Sequence, residues 1–171
     1  MFYWRITKYN PKNRDINGSY LLDEWTCYSQ VDTITNGKLL TYAEYLVTEN
    51  AYVKAINLFM ICNDLKELQV AYLEKYWELD QDFNLNLAMI ELFKRMKIRR
   101  KLSMDEVEIM ARLVLRRKLW CKLGNENTMF VHFGYDYYMY IGSAKKCVKT
   151  IRQIQQSGLF VEEFLSPYLE E

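Results

Sequence analysis

A single histidine, His132, limits the chemistry open to this chain. Acid–base and nucleophilic catalysis place a titratable side chain beside a nucleophile or a second base. With one imidazole in 171 residues, two-histidine nuclease chemistry is excluded, as is any metal site needing two imidazole ligands. His132 sits in Phe130-Val131-His132-Phe133, which alternates like a strand. Its side chain is therefore expected opposite to Val131 and Phe133, half-buried and with a satisfied ring nitrogen. The acid pairs Asp23-Glu24 and Asp80 with Asp82 read as surface carboxylates. No Gly-rich phosphate loop, Gly-x-Ser-x-Gly elbow or His-Glu-x-x-His pair occurs, and the six glycines stand singly. No catalytic residue, metal or cofactor is expected, and the chain reads as a non-enzyme.

Four cysteines, Cys27, Cys62, Cys121 and Cys147, lie 35, 59 and 26 positions apart, too far for a zinc knuckle or a redox motif. The opening Met-Phe-Tyr-Trp-Arg lacks a basic start followed by a long apolar run. The expectation is four reduced thiols in a cytoplasmic protein. A membrane span needs about eighteen uninterrupted apolar residues. The most apolar stretch, Leu85 to Phe93, is broken by Asn86 and Glu91, so no membrane partner is expected.

Two constellations suit binding. In the first, Arg14 and Asp15 precede Tyr20, Asp23, Glu24, Trp25 and Tyr28, combining large amphipathic rings with opposite charges. Interface hot spots have this composition. The other reading makes Trp25 and Tyr20 core residues and pairs Arg14 locally. The second is Phe133-Gly134-Tyr135-Asp136-Tyr137-Tyr138-Met139-Tyr140, which holds four of the fourteen tyrosines. Alternation sets Tyr138 and Tyr140 on one face and Tyr137, Met139 and Ile141 on the other, so one row is core.

The net charge of +1 conceals an uneven distribution. Asp15 to Asp82 carries twelve acids and four bases, while Lys94 to Lys122 carries eleven bases and three acids. Two readings stay open: solvated faces that compensate each other, or two surfaces of opposite sign suited to charged partners. The run Lys94, Arg95, Lys97, Arg99, Arg100, Lys101 could hold phosphates, but no exposed aromatics are interleaved to stack bases.

The elements that must position these residues follow from pattern. A composition half hydrophobic, 26% charged and with two prolines belongs to a folded domain. Phe2 to Tyr9 reads as an opening strand and Glu24 to Tyr28 as a short one. Capping boxes Thr41-x-x-Glu44 and Ser103-x-x-Glu106 open helices near 41–63 and 103–117. Further helices are expected near 82–98 and 143–157, the last closed by Gly158. Leu68 to Leu73 is strand-like but ambiguous. Lys118 to Ile141 forms a β-meander around Gly124-Asn125-Glu126-Asn127 and the Gly134-Tyr135-Asp136 turn. The tail from Leu159 is apolar enough to dock. The fold class is α+β: one domain over residues 1–171, an antiparallel sheet with its meander in the C-terminal half, packed by about four helices.

Trp4-Arg5-Ile6-Thr7-Lys8-Tyr9-Asn10-Pro11, Asp23-Glu24-Trp25-Thr26 and Gly134-Tyr135-Asp136-Tyr137-Tyr138-Met139-Tyr140 look like segments of small uncharacterised proteins of Gram-positive bacteria. In kind, the chain resembles immunity proteins of polymorphic and contact-dependent toxin systems. That resemblance implies a cytoplasmic domain that binds and blocks a cognate toxin, commonly a nuclease, and it supplies no catalytic residue. The expected partner contacts are Asp23, Glu24, Trp25 and Tyr28, with Arg14, Asp15, Tyr135 and Asp136 behind them. The alternative is a nucleic-acid-binding or regulatory protein using Lys94, Lys97, Arg99, Arg100 and Lys101.

Overall fold

Aromatic and β-branched residues open the chain as strand β1 (Phe2–Thr7), which ends where Asn10 caps a short 3-10 turn at Pro11–Asn13. The computed structural model describes residues 1–35, 37–76 and 84–169. Asp80, Asp82, the start of the helix expected from Asp82, and Asn36 of the expected Asn36-Gly37 turn lie outside the described residues. A two-stranded hairpin, β2 (Ile34–Thr35) with β3 (Lys38–Leu39), precedes helix α1 (Tyr42–Cys62). The chain continues as β4 (Glu67–Lys75), α2 (Leu87–Arg95), β5 (Lys101–Ser103) and α3 (Met104–Leu115). The meander β6 (Leu119–Asn125), β7 (Met129–Phe133) and β8 (Tyr138–Ser143) follows, then α4 (Val148–Gln156) and β9 (Phe160–Glu163).

Seven strands form one antiparallel sheet in the order β5-β4-β6-β7-β8-β1-β9. The α+β expectation holds, and the meander occupies the middle of the sheet. Both capping boxes are present, with Thr41 Oγ1 accepting from the Glu44 amide and Ser103 Oγ from the Glu106 amide. Helix α2 starts at Leu87 because the Asn86 side chain accepts from the Met89 amide there. Gly158, at φ +90°, follows the end of α4 as expected.

Strand alternation gives the sheet two unlike faces. Trp4, Ile6, Leu123, Val131, Met139 and Ile141 point into the core with Tyr45, Tyr52, Ile56 and Phe59 of α1 and Met110 and Leu113 of α3. Burying each such side chain contributes about 1.5–3 kcal/mol. Trp120, Phe130, His132 and Tyr140 lie on the opposite face, where the C-terminal segment crosses them. There Tyr168 meets Trp120 edge-on at 5.8 Å and Tyr140 at 5.9 Å, and Lys122 Nζ donates to the Tyr168 carbonyl at 2.9 Å. The tail docks, as its apolar composition implies.

Three expectations are corrected. Glu24 to Tyr28 is not a strand: Trp25 and Tyr28, three residues apart, both pack on Tyr45, which a turn allows and an extended chain does not. The four thiols are not all reduced, since the last residue of α1 meets the residue before α4 in a Cys62–Cys147 disulfide with Cα atoms 6.0 Å apart. Cys27 and Cys121 remain thiols. The cysteine argument for a reducing compartment therefore falls away. His132 is not half-buried but 6% exposed, because the tail covers its face. No helix among the described residues is long and apolar enough to cross a membrane.

Candidate binding site

The turn between β7 and β8 fixes the site. Gly134 donates its amide to the Tyr138 carbonyl at 2.7 Å, and a Cβ at Gly134 would lie 3.1 Å from that oxygen and from the Tyr140 ring. Asp136 and Tyr137 then take positive φ, +52° and +64°, which is strained for a side chain as bulky as tyrosine. Packing holds the strained turn in place. The Tyr137 hydroxyl donates to the Leu115 carbonyl at 3.0 Å, and the Tyr137 carbonyl accepts from the Tyr52 hydroxyl at 2.5 Å. With Tyr137 drawn inward, Tyr135 stands 79% exposed at the tip.

Beside this tip lies a cavity of about 80 Å³. Phe133, Tyr137 and Tyr52 form its floor, Trp120 and Thr26-Cys27 its sides, and Tyr76, Arg117, Tyr135 and Asp136 its rim. Arg117, at φ +58° just past α3, and Tyr76, whose amide donates to the Lys118 carbonyl at 3.0 Å, reach the rim from adjoining chain segments. Burial raises the Tyr76 phenol above its ordinary range, with Glu74 and Tyr135 adding to the shift and Arg117 opposing it. The rim thus offers two phenols, one guanidinium and one carboxylate group. These groups stack, pair and donate hydrogen bonds.

The N-terminal contact residues divide. Thr26 and Cys27 reach the cavity, so the two constellations do meet. Trp25 is wedged between Tyr45 and Tyr137, with the Lys8 ammonium 4.2 Å from its ring centroid. Tyr28 packs edge-on to Tyr45 and takes a hydrogen bond from Asn84 at 3.1 Å. Glu24 faces inward to Tyr20 at 2.6 Å and Lys8 at 3.1 Å. Burial pushes its carboxyl up, but the Tyr20 hydroxyl and Lys8 ammonium outweigh this and hold it below the usual range. Arg14 pairs with Glu162 at 2.8 Å, and Asp15 caps the Asn17 and Ser19 amides. Asp23 is exposed at the end of this segment. Trp25, Tyr28, Glu24 and Arg14 hold the protein together, whereas Tyr135 and Asp136 are presented to solvent. Tyr76, Arg117 and Trp120 join the site without a local signal, since Tyr76 follows β4 and Arg117 and Trp120 flank the start of β6, both away from the Tyr135 turn in the chain.

The two charge blocks interlock. Glu49 binds Arg112 and Arg116, and Glu67 binds Lys101 at 2.5 Å, so acids of the first half neutralise bases of the second. Arg100 pairs with Glu106 at 2.8 Å, while Lys94, Lys97 and Arg99 are exposed around the end of α2. The compensating reading applies to these pairs.

His132 lies away from the cavity. Its Nδ1 is 2.9 Å from Ser166 Oγ and its ring stacks on Phe130 at 4.3 Å. Burial, with the Lys122 charge adding to it, lowers its pKa to about 4. Among the described residues no group of three or more His, Cys, Asp or Glu side chains is placed to hold a metal ion. Comparison with protein-family models, with curated proteins and with solved structures finds no match to this chain.

Proposed function

We propose that this chain is a non-enzymatic binding protein that takes one anchoring side chain of a protein partner into the Tyr76–Arg117–Tyr135 cavity. The partner we infer is a bacterial toxin domain, which it occludes as an immunity protein does. The observation that carries the reading is the cavity itself. At about 80 Å³ it is well below the roughly 300–1,000 Å³ of small-molecule sites, and it suits a single side chain. Tyrosine and arginine, which rim this pocket, are among the residue types that dominate protein interfaces. The resemblance to immunity proteins supplies the kind of partner.

Cytoplasmic residence belongs to this reading. The Cys62–Cys147 bond weighs on the other side, because reducing compartments keep thiols reduced, and alkylation trapping in native cells distinguishes the two.

The test is co-expression with the polypeptide encoded directly upstream of this chain's gene, followed by copurification and growth measurement. A complex and restored growth are expected, both lost in Tyr135→Ala and Arg117→Ala. These two exposed positions should leave stability within about 0.5 kcal/mol of the parent. Absence of both complex and rescue rejects the toxin partner. A complex indifferent to both substitutions rejects the cavity as its site.

A further inference from the structure

Arg14 is a buried guanidinium with two of its five N–H groups matched. Its side chain is 7% exposed, and Nη1 donates to both oxygens of Glu162 at 2.8 Å. Nε and Nη2 are buried and have no partner among the described residues. Those two nitrogens form the edge that normally grips a carboxylate or phosphate at two points. Leaving them unmatched is costly, since a buried donor without an acceptor loses its hydration for nothing.

The surroundings share the imbalance. Arg5 binds the same Glu162 oxygen through Nε at 3.2 Å and Nη2 at 3.1 Å. Two guanidinia thus divide one carboxylate, and both lie over the Tyr138 ring, 5.7 and 5.8 Å from its centroid. The cluster carries one uncompensated positive charge in a setting where burial makes such a charge unfavourable. One added anion would match the charge and fill the open edge together.

We propose that Arg14, seconded by Arg5, is an oxyanion-binding site that accepts a carboxylate or phosphate group on its Nε–Nη2 edge. Entry requires the neighbouring chain to move. The turn directly after Arg14 is held by the Asp15 side chain and by the Asp15–Ser19 and Asp15–Gly18 backbone bonds, and Ile16 within it is fully exposed. The inference stands apart from the partner cavity and is tested on the isolated protein.

The experiment follows the Arg14 Nε–H resonance by nitrogen-15 NMR during titration with inorganic phosphate or acetate, against sodium chloride at matched ionic strength. A saturable displacement is expected with at least one oxyanion, and which anion succeeds identifies the group. Arg14→Lys keeps the charge but removes the two-point edge, so thermal stabilisation by that anion should appear only at about tenfold higher concentration. No displacement beyond chloride overturns the proposal, and so does equal stabilisation of Arg14→Lys. Should the variant fail to fold, the resonance of the unsubstituted protein decides alone.

Discussion

Arg116 meets Glu49 as a two-point ion pair inside the protein, Nε to Oε1 at 2.6 Å and Nη2 to Oε2 at 2.8 Å, with side chains 3% and 0% exposed. Arg112 Nη1 reaches Oε2 at 2.7 Å and the Tyr45 hydroxyl reaches Oε1 at 2.9 Å. Burial alone would lower the Arg116 pKa, but Glu49 outweighs it and holds the guanidinium above its ordinary range. The network ties the middle of α1 to the end of α3, the same end from which Arg117 reaches the cavity.

Removing one partner of such a pair strands the other charge. Glu49→Gln is expected to destabilise the fold by about 3–5 kcal/mol, read from urea unfolding midpoints. Replacing both buried charges, as in Glu49→Leu with Arg116→Met, removes the 3%-exposed guanidinium and leaves only the more exposed Arg112 to turn to solvent, so it should be less damaging than Glu49→Gln. A double variant no better than the single one would show that Arg116 is held chiefly by its contact with the Asn84 carbonyl, 2.8 Å from Nη1.

The sequence carried the fold where the signal was local. Thr41-x-x-Glu44 and Ser103-x-x-Glu106 announce helices because the capping partners are three residues apart, and the structure has both. The meander was legible from alternation around Gly124 and Gly134. The short edge strands β5 and β9 were not, because each depends on a neighbour distant in the chain, Leu102 on Leu68 and Glu162 on Arg5. Glu49 shows the same limit: it sits within an apolar stripe with no local hint of arginines 63 and 67 positions away. The site was half legible. Tyr135 and Asp136 were named from aromatic density and turn chemistry, whereas Arg117 and Tyr76 reach the rim only through tertiary packing. Trp25 was open to two readings from composition and Tyr28 was expected as a partner contact, and the structure places both among the rings around Tyr45.

Gly142 has no room for a side chain. A Cβ there would overlap the Phe130 ring, which lies flat against the same stretch of β8 and stacks on His132. Gly142→Ala should therefore cost about 1–3 kcal/mol through overpacking. Phe130→Leu removes the obstructing ring edge, so the double variant should be more stable than the sum of the two single losses predicts. Additive losses in a double-mutant cycle would show that Gly142 is required for its backbone rather than for the space above it.

His132 makes stability depend on pH in the acid range. Its pKa is about 4 in the folded protein, against about 6.5 for an ordinary imidazole. Between those values the unfolded chain binds the proton and the folded one does not. The contribution is complete above pH 6.5 and is lost as pH falls toward 4, by about 3 kcal/mol in all. His132→Asn leaves an oxygen near Ser166 Oγ without the titration. Unfolding free energies at pH 7 and pH 4.5 should converge in this variant relative to the parent. Equal pH dependence in both proteins would assign the acid sensitivity to carboxylates such as Glu24, whose folded pKa is also lowered.

The Cys62–Cys147 bond closes a segment of sequence separation 85, between the end of α1 and the start of α4. Constraining an unfolded chain by a loop of that length is worth about 4–5 kcal/mol in the chain-entropy description. Under denaturing, non-reducing conditions two thiols should react with a thiol reagent, those of Cys27 and Cys121, and all four after reduction. The reduced protein should unfold at a lower urea concentration than the oxidised one. Cys62→Ser should reproduce that loss and abolish any further effect of reductant. If reductant shifts Cys62→Ser as much as the parent, the stabilising bond lies elsewhere in the chain.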